Sequence, residues 1–567
     1  MYTTATAFLE VLAEQDISHV FVNLGSDHPG LVEAIAEARA NGRPVPTIVT
    51  CPNEMVALTI AHGHTQISGK PQAVIVHVEC GTQALAGAIH NAAKARIPVL
   101  ILAGSSPYTQ QGEMLGSRNE FIQWIQDVHD QRGLVRGYMR YDNEIRTGTN
   151  VKQLVHRAMQ FAKSDPKGPV YLMAPREVLE APCDPVTVDM ERWQPVSPIA
   201  LGAKDAGFLA EKLAGARRPL IVTSYLGRNP DAAAALEALC VQLGIGVMES
   251  VPSYVNLPHD SPFYLGNFWN EPQRNQDLAE ADLVLVIDSD VPWIPTKNRP
   301  GEEAQIYHID VDPLKEQMPL WYIEPNRSFR ADAELAIRAI MDAAGELELS
   351  AERIAERSAH YADRSGHRRA RLVDEQSKDG GLTIARLMAA LRPHIDAETI
   401  VMNEGITNYQ PVFDHLAPVR PGAMFASGGG SLGWNGGAAI GAKMARPDAT
   451  VVAVSGDGCY MFTVPSSVHW IARRYNAPFL QIVLNNDGWN APRHSALAVH
   501  PDGHASKAND LDLSFSPAPD YGAIAAAAGG AAAFVVDRDS NLESVLAQAF
   551  AVLKNERRAV VVEARLD

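Results

Sequence analysis

The sequence predicts an α/β protein made of three doubly wound domains, each with a parallel sheet. Short apolar runs alternate with helical stretches along the chain, which is typical of parallel sheets covered by helices on both faces. A proline-rich segment and a highly charged segment divide this alternation into three blocks. The length agrees, because 567 residues exceed one core and predict three or four domains of roughly 100–200 residues each.

The first domain is expected over residues 1–182. Its helices are predicted at 3–14 and 31–40, with a further helix at 87–94. The predicted strands, each a short apolar run, are residues 19–23, 47–49, 73–78, 99–103 and 170–174. Four prolines between residues 180 and 202 then predict a linker.

The middle domain is expected over residues 195–345 and the third over residues 382–567. Between them, residues 346–381 are highly charged and predict a solvated helix followed by a polar linker. The predicted strands are 219–223, 246–250, 283–288 and 305–310 in the middle domain, and 399–402, 450–455, 479–485 and 559–563 in the third. The first and third blocks have similar size and build, which suggests paired relatives.

Composition restricts the class of partner. The formal charge of −17 disfavours attraction to nucleic acid or to an anionic membrane surface. No apolar run reaches the ~20 residues of a spanning helix, and the first residues lack a signal-peptide pattern. We therefore expect a cytoplasmic protein with a small-molecule partner. Five cysteines without a CxxC pair predict free thiols: Cys51, Cys80, Cys183, Cys240 and Cys459.

Two strand ends in the third domain carry oxygen-bearing side chains. Asp457 follows one predicted strand, and Asn486 follows the next strand along the chain. Because ligands bind beyond the carboxyl ends of parallel strands, we expect the two side chains to converge. Such hard ligands suit Mg²⁺ or Ca²⁺ bridging a diphosphate. Asp457-Gly458 and Asn486-Asp487 are each also ordinary turn dipeptides. Their joint position at the ends of two strands favours a metal site.

The glycine-dense segment 427–441 contains a formal GxGxxG at residues 428–433. A nicotinamide-dinucleotide site needs a firm strand before this motif and an acidic residue about 20 positions after it. Here the preceding strand is very short and the glycines continue past the motif. The first later acidic residue, Asp448, lies in a turn-like stretch, so the sequence gives a dinucleotide site little support.

Glu54 lies where a predicted strand passes into a helix of small residues. By itself, a glutamate there is usually a favourable first-turn charge. In order along the chain come Glu54, Gly81, Pro98, Gly104, residues 430–433, Asp457 and residues 485–486. This order resembles the thiamine-diphosphate-dependent enzymes of the acetolactate synthase, benzoylformate decarboxylase and pyruvate decarboxylase group, over nearly the whole chain. The resemblance implies a pyrimidine-binding first domain, a non-catalytic middle domain and a diphosphate-binding third domain.

The resemblance also assigns cofactor roles. Glu54 matches the glutamate that hydrogen-bonds the aminopyrimidine, the Gly430 carbonyl matches the acceptor for its amino group, and Leu432 matches the apolar wedge that keeps the cofactor bent. Asp457 and Asn486 match the side-chain ligands of Mg²⁺, with Gly488 as a main-chain ligand. The residues that resemble the diphosphate cradle are Gly405, Ile406, Thr407, Gly458 and Cys459.

Four residues are candidates for the substrate pocket. His77 precedes Gly81 with the spacing of an active-centre histidine in benzoylformate decarboxylase, and an ordinary strand-end histidine is the alternative. Asp27 and His28 fall in the first strand-to-helix loop, where polar turn residues are also common. Gln123 resembles a glutamine near the acetolactate synthase pocket. His77 favours decarboxylation, whereas Gln123 and the chain layout favour carboligation.

The resemblance thus implies an enzyme that uses thiamine diphosphate and Mg²⁺ on a 2-oxo acid, by decarboxylation, carboligation or both. It further implies a homodimer or homotetramer with active sites between subunits. FAD remains open, since acetolactate synthases use it and many relatives do not. The alternative is a non-catalytic or regulatory homologue that binds the cofactor, suggested by the unusual segment 79–84 and by the histidine-rich loop after Asn486.

Overall fold

The computed structural model describes residues 1–270, 274–378, 380–508, 511–538 and 540–566. Within these ranges the chain forms three domains, each built on a six-stranded parallel sheet with helices on its faces. The predicted fold class is therefore confirmed. In the same ranges, none of the helices combines the length and apolar character needed to span a membrane.

The first domain has the strand order β2-β1-β3-β4-β6-β5. Its strands are β1 (His19–Val22), β2 (Thr47–Thr50), β3 (Gln72–Val76), β4 (Val99–Ser105), β5 (Tyr141–Glu144) and β6 (Val170–Pro175). Its helices are α1 (Thr4–Glu14), α2 (Pro29–Ala40), α3 (Glu54–Ser68), α4 (Val78–Ala84), α5 (Ala86–Lys94), α6 (Ile122–Ile125), α7 (Val151–Lys163) and α8 (Arg176–Glu180).

The middle domain has the strand order β12-β11-β10-β7-β8-β9. Its strands are β7 (Pro219–Thr223), β8 (Gly246–Ser250), β9 (Tyr264–Phe268), β10 (Leu283–Ile287), β11 (Gln305–Asp310) and β12 (Arg327–Arg330). Its helices, with the long one that follows it, are α9 (Ala203–Gly215), α10 (Pro230–Leu243), α11 (Gln276–Glu280), α12 (Ala333–Gly345) and α13 (Ala351–Ser377).

The third domain has the strand order β14-β13-β15-β16-β18-β17, which repeats the order of the first domain strand for strand. Its strands are β13 (Thr399–Glu404), β14 (Met424–Phe425), β15 (Thr450–Gly456), β16 (Leu480–Asn485), β17 (Ala532–Val536) and β18 (Val560–Arg565). Its helices are α14 (Ile384–Leu391), α15 (Tyr409–Leu416), α16 (Asn435–Ala445), α17 (Asp457–Phe462), α18 (Pro465–Arg474), α19 (Asn490–Val499), α20 (Tyr521–Gly529) and α21 (Leu542–Ala551).

Apolar runs located the central strands but missed several outer ones. Central strands are buried along their whole length, as in β3 and β16, because helices cover both faces of a parallel sheet. The edge strands β5 (YDNE) and β12 (RSFR) are polar, and no strand was predicted there. Strands β9 and β17 were also missed.

The charged segment after the middle domain is mostly one helix, α13, where a shorter helix and a linker were predicted. Its Arg357 is buried and its Nη1 donates to the carbonyls of Leu213, 3.1 Å away, and Leu243, 3.0 Å away. Those carbonyls end α9 and α10, where a cation is stabilised by the helix dipole. Tyr361 donates to the Pro219 carbonyl at 2.7 Å. These contacts fix the helix against the middle domain.

Helices α3 and α16 join the first and third domains through glycines. A Cβ on Gly63 would lie 2.4 Å from the Ala438 carbonyl oxygen, and one on Gly441 would lie 2.1 Å from the Ile60 carbonyl oxygen. The two backbones therefore touch, and no larger residue fits between them without a shift. Both helices contribute to one hydrophobic core shared by the two domains.

We expect Gly441→Ala to destabilise the protein by about 1–3 kcal/mol, because the new methyl group overpacks this contact. Gly207 in α9 is the matched control, since open space surrounds its Cβ position. Gly207→Ala should stabilise by up to about 1 kcal/mol through helix propensity. Thermal unfolding midpoints of the two variants test this, and equal shifts in the same direction would contradict the close contact.

Candidate active site

Glu54 begins α3 at the carboxyl end of β2. The helix starts there because the Asn53 side chain accepts the Val56 N–H at 3.1 Å, which caps the first turn. Glu54 is partly buried, and a Cβ on Gly81 would lie 3.3 Å from its Oε1. The glycine thus leaves room for the carboxylate beside α4. The structure thus brings Glu54 and Gly81 together.

His77 and Asp27 form an ion pair beside Glu54. His77 Nδ1 lies 2.6 Å from Asp27 Oδ1, and His28 Nδ1 lies 3.0 Å from the same oxygen. Asp27 Oδ2 accepts the Val78 N–H at 3.1 Å. Three of the four predicted pocket residues are therefore in direct contact, with Asp27 and His28 buried and His77 partly exposed.

Two glycines make room for this pair. A Cβ on Gly25 would lie 1.9 Å from His77 Nδ1, and a Cβ on Gly104 would lie 1.6 Å from Asp27 Oδ2. Any larger residue at either position would displace the imidazole or the carboxylate. The site is thus built into the ends of several strands, where parallel sheets hold their ligands.

The charges of the pair reinforce each other. Burial by itself would raise the pKa of Asp27, but His28 and His77 outweigh it and hold that pKa well below its ordinary value. The hydrogen bond with Asp27 raises the pKa of His77, with smaller support from Gln126 and Glu54 and against the opposing effect of burial. His77 therefore keeps its proton to higher pH than an ordinary histidine.

Replacing Asp27 by Asn should lower the pKa of His77, because the raising interaction is lost while the burial remains. NMR titration of the His77 imidazole measures this directly, with His77→Asn used to assign the signal. The matched control is Asp130→Asn, which alters an exposed carboxylate paired with Arg136. An unchanged titration of His77 in the Asp27 variant would show that the carboxylate does not hold its proton.

Gln126, which was not among the predicted pocket residues, lies next to His77 in the structure. Its Oε1 lies 3.1 Å from His77 Nε2. The predicted Gln123 is instead buried within its own turn, where its Oε1 accepts the N–H of Asn119 at 2.9 Å. One helical turn separates the two glutamines, and only the tertiary contact distinguishes them.

The unusual segment 79–84 also has a local explanation. Glu79 is buried as the second residue of α4, and its carboxylate accepts the Cys80 thiol at 2.8 Å and the Gln83 amide. The exposed Cys80 therefore faces the same region as His77 and Gln126. Both oxygens of the buried Glu79 carboxylate therefore accept hydrogen bonds from neighbouring side chains.

The ends of β15 and β16 meet through Asp457, as predicted. Asp457 Oδ1 accepts the Gly458 N–H at 2.7 Å, and its Oδ2 accepts the Gly488 N–H at 3.0 Å. Burial raises the pKa of Asp457, and these backbone donors oppose that rise. The carboxylate thus lies against the turn that carries Asn486.

Asn486 has the free oxygen that a metal ligand requires. Its Oδ1 is buried and has no hydrogen-bond partner among the described residues. The side chain of the neighbouring Asn485 already has partners, because its amide nitrogen donates to Glu563 at 2.8 Å and its oxygen accepts the Asp487 N–H at 3.0 Å. In the described part of the chain, three or more His, Cys, Asp or Glu never cluster as metal ligands do. A cation here would therefore be held by one carboxylate, one amide and main-chain oxygens.

Gly488 occupies a position that no other residue fits. Its φ is +137°, and a Cβ would lie 2.1 Å from the Leu513 carbonyl oxygen. This turn pairs with the later loop through an isolated bridge between Gly488 and Ser514. The main chain of Gly488 is thus fixed beside Asp457, as a main-chain ligand would need.

The predicted diphosphate cradle lies between β13 and α15. Ile406 has a φ of +51°, a left-handed conformation that a β-branched residue rarely adopts and that is often found at functional sites. Gly405 donates to Asn403 Oδ1 at 3.0 Å, and Thr407 is exposed. Across the sheet, a Cβ on Gly458 would lie 2.4 Å from the Trp489 ring. Burial raises the pKa of the adjacent Cys459 thiol.

The loop that carries Gly430 and Leu432 connects β14 to α16. Gly430 is exposed and Leu432 is partly buried. Glu404, at the end of β13, accepts the first N–H groups of α16 from Trp434 at 3.2 Å and Asn435 at 2.9 Å. Burial raises the pKa of Glu404 to about 7, although these backbone donors lower it. Glu404 was not among the predicted site residues.

Comparison with known proteins identifies the same three units. The N-terminal TPP binding domain of thiamine pyrophosphate enzymes matches residues 2–134, their central domain matches residues 207–339, and their C-terminal TPP binding domain matches residues 405–564. All of the predicted site residues lie within the two matched TPP binding domains.

Individual relatives agree with this assignment. Benzoylformate decarboxylase of Pseudomonas aeruginosa is 26% identical over 97% of each chain. A probable 2-ketoarginine decarboxylase of the same species is 25% identical over 79% of this chain and 76% of its own. Acetolactate synthase of Bacillus subtilis is 22% identical over 90% of this chain and 86% of its own.

Solved structures share the fold along the entire chain. Benzoylformate decarboxylase from Polynucleobacter necessarius superposes with a TM-score of 0.79 at 18% identity, and covers 100% of this chain and 99% of its own. A 4-hydroxybenzoylformate decarboxylase of Rhodococcus jostii gives 0.77 at 20% identity with the same coverage. With all three domains matched in order, the chain belongs to the thiamine pyrophosphate enzymes.

Proposed function

We propose that this chain is a thiamine-diphosphate- and Mg²⁺-dependent enzyme that decarboxylates a 2-oxo acid. The observation that carries the proposal is the junction of β15 and β16. There Asp457 binds the Gly488 N–H, and the buried Asn486 Oδ1 is free to accept a ligand. A carboxylate, an amide and a main-chain carbonyl at one crevice suit Mg²⁺ with a diphosphate. The strained turn at Ile406 is the proposed cradle for the phosphates.

The first domain and one loop of the third domain supply the remaining groups. Glu54 is the proposed hydrogen-bond partner of the aminopyrimidine, and the loop of Gly430 and Leu432 supports the same ring. When bound, thiamine diphosphate provides the electron sink for cleavage of the bond next to the substrate carbonyl. His77 would hold the substrate carboxylate or deliver a proton from Nε2, while Asp27, bonded to Nδ1, raises the pKa of the imidazole.

Decarboxylation is favoured over carboligation by the contacts of the two candidate residues. His77 is partly exposed and the hydrogen bond with Asp27 raises its pKa, so it can act on a substrate as an acid. Gln123, which favoured carboligation, spends its side-chain oxygen on its own turn. The pocket therefore contains a histidine that can act as an acid, whereas the side-chain oxygen of Gln123 is engaged in its own turn.

Two measurements test the proposal. Equilibrium dialysis should show binding of thiamine diphosphate that requires Mg²⁺ and is lost in excess chelator. A panel of 2-oxo acids should then release CO₂ with the matching aldehyde. Acetohydroxy-acid formation on the same panel would favour carboligation, and cofactor binding without turnover of any 2-oxo acid would favour a non-catalytic homologue. Failure to bind the cofactor would refute the proposal.

We also propose a homodimer or homotetramer with active sites between subunits. Support comes from the region around α6, where large apolar side chains face outward. Leu115, Phe121 and Ile125 are 77%, 76% and 71% exposed, respectively. Large apolar side chains that are exposed together on a surface often mark an interaction site. Sedimentation of the active holoenzyme tests the assembly, and an active monomer would contradict it.

A further inference from the structure

The loop between β14 and α16 is bound by the side chain of Asn91 from α5. Asn91 Oδ1 accepts the Ser431 N–H at 3.0 Å, and Asn91 Nδ2 donates to the Ser431 carbonyl at 2.8 Å. One buried amide thus satisfies both backbone groups of one residue, as a neighbouring strand would. Next to it, His90 Nε2 accepts the Gly430 N–H at 3.1 Å.

Glycines allow α5 and this loop to meet closely. A Cβ on Gly429 would lie 2.4 Å from Asn91 Oδ1, and a Cβ on Gly87 would lie 1.9 Å from Ser431 Oγ. Larger residues at these positions would push the loop away from the helix. The contact is therefore built from both elements, and a single chain makes it between its first and third domains.

Glu404 holds the opposite end of the same loop. Its buried carboxylate accepts the N–H groups of Trp434 and Asn435, the residues at which α16 begins. Removing either partner of such a buried bond leaves a backbone group unsatisfied, which costs more than the bond itself contributes. The segment 430–433 is thus fixed at both ends by side chains from two different domains.

We infer that Asn91 and Glu404 are positioning residues that set the Gly430 carbonyl and the Leu432 side chain against the cofactor's pyrimidine ring. Ser431 lies between these two groups, so a bidentate hold on its backbone fixes the direction of each. Glu404 fixes the residues that follow Leu432. The part of this inference that concerns the cofactor rests on the proposed function. The part that concerns the ordering of the loop by Asn91 and Glu404 does not.

The first experiment measures the loop without cofactor. Hydrogen–deuterium exchange of peptides covering residues 427–435 should be about tenfold faster in Asn91→Ala and in Glu404→Gln than in the wild-type chain. Asn143→Ala is the matched control, because among the described residues that half-buried asparagine forms its side-chain hydrogen bonds within β5, to Tyr141 and Glu144. Unchanged exchange in both variants would overturn the inference.

The second experiment measures the cofactor side. Asn91→Ala should bind thiamine diphosphate about tenfold more weakly and alter the near-ultraviolet circular dichroism of the saturated complex. Asn91→Asp keeps the acceptor for the Ser431 N–H and loses the donor to the Ser431 carbonyl. Its affinity for thiamine diphosphate should therefore lie between those of the wild type and Asn91→Ala. Wild-type affinity and an unaltered spectrum in Asn91→Ala would refute the positioning role.

The two experiments separate this inference from the proposed function. A wild-type chain that binds no thiamine diphosphate refutes both the function and the cofactor part of the inference. In that case the exchange comparison still decides whether Asn91 and Glu404 order the loop. If Asn91→Ala does not fold, Glu404→Gln, which nearly preserves the side-chain shape, gives the decisive result in both experiments.

Discussion

Replacing Glu54 by Gln should lower the turnover of a 2-oxo acid by about 10²–10⁴-fold, the range that a positioned acid or base contributes. The neutral amide can still occupy the space beside Gly81, but it cannot share a proton with the aminopyrimidine. Binding of thiamine diphosphate should weaken yet stay measurable, because the diphosphate end is held by the third domain. Steady-state kinetics and dialysis on the same preparation measure the two effects separately.

The control for this variant is Glu334→Gln. Glu334 also lies in the first turn of a helix, α12, where it is bonded to Arg338 and Asn229 in the middle domain. It should retain wild-type turnover, which would exclude a general effect of removing a first-turn charge. Wild-type turnover in Glu54→Gln would remove this carboxylate from the mechanism.

Replacing Asp457 by Asn should weaken the Mg²⁺-dependent binding of thiamine diphosphate by about 100-fold. The amide has one acceptor in place of two, so it cannot accept from both Gly458 and Gly488 and also bind a cation. Losses of 10- to 100-fold are typical when the groups around a bound metal are altered, and a direct ligand falls at the upper end. Dialysis across a range of Mg²⁺ concentrations measures this effect.

Asp487→Asn is the matched control for the metal site. Asp487 lies one residue from Asn486, and its Oδ2 accepts the Ser514 hydroxyl at 3.0 Å. It should bind the cofactor as the wild type does, because its carboxylate faces the later loop. Equal losses in both variants would show that general negative charge, and not coordination by Asp457, supports binding.

The sequence predicted the elements whose signal is local. Buried parallel strands appear as apolar runs, so β7, β8 and β11 have the predicted bounds, and the other predicted strands differ by one or two residues at their ends. Asp457 and Asn486 could be found because strand ends of one sheet share an edge. Polar edge strands such as β5 lack such a run and were missed.

Contacts between residues that are far apart in the sequence could not be predicted in this way. Gln126, Asn91 and Glu404 have ordinary local sequence contexts, and each is singled out only by the residue that it meets in space. Gln123 shows the converse, because its resemblance suggested a pocket role while the chain uses its amide within one turn. Selection among similar residues of one helix depends on tertiary packing, which a local pattern does not encode.

The matching strand orders of the outer domains have a consequence for the origin of the chain. Helix α3 follows β2, and α16 follows β14, so the two helices occupy equivalent places in equivalent sheets. Their glycine contact therefore resembles the self-complementary interface of a symmetric dimer. An ancestral single-domain protein that paired with itself through this helix, duplicated and then joined by an inserted domain, would leave this arrangement. The carboxylate of Glu54 and the wedge of Leu432 would then descend from the same corner of one ancestor.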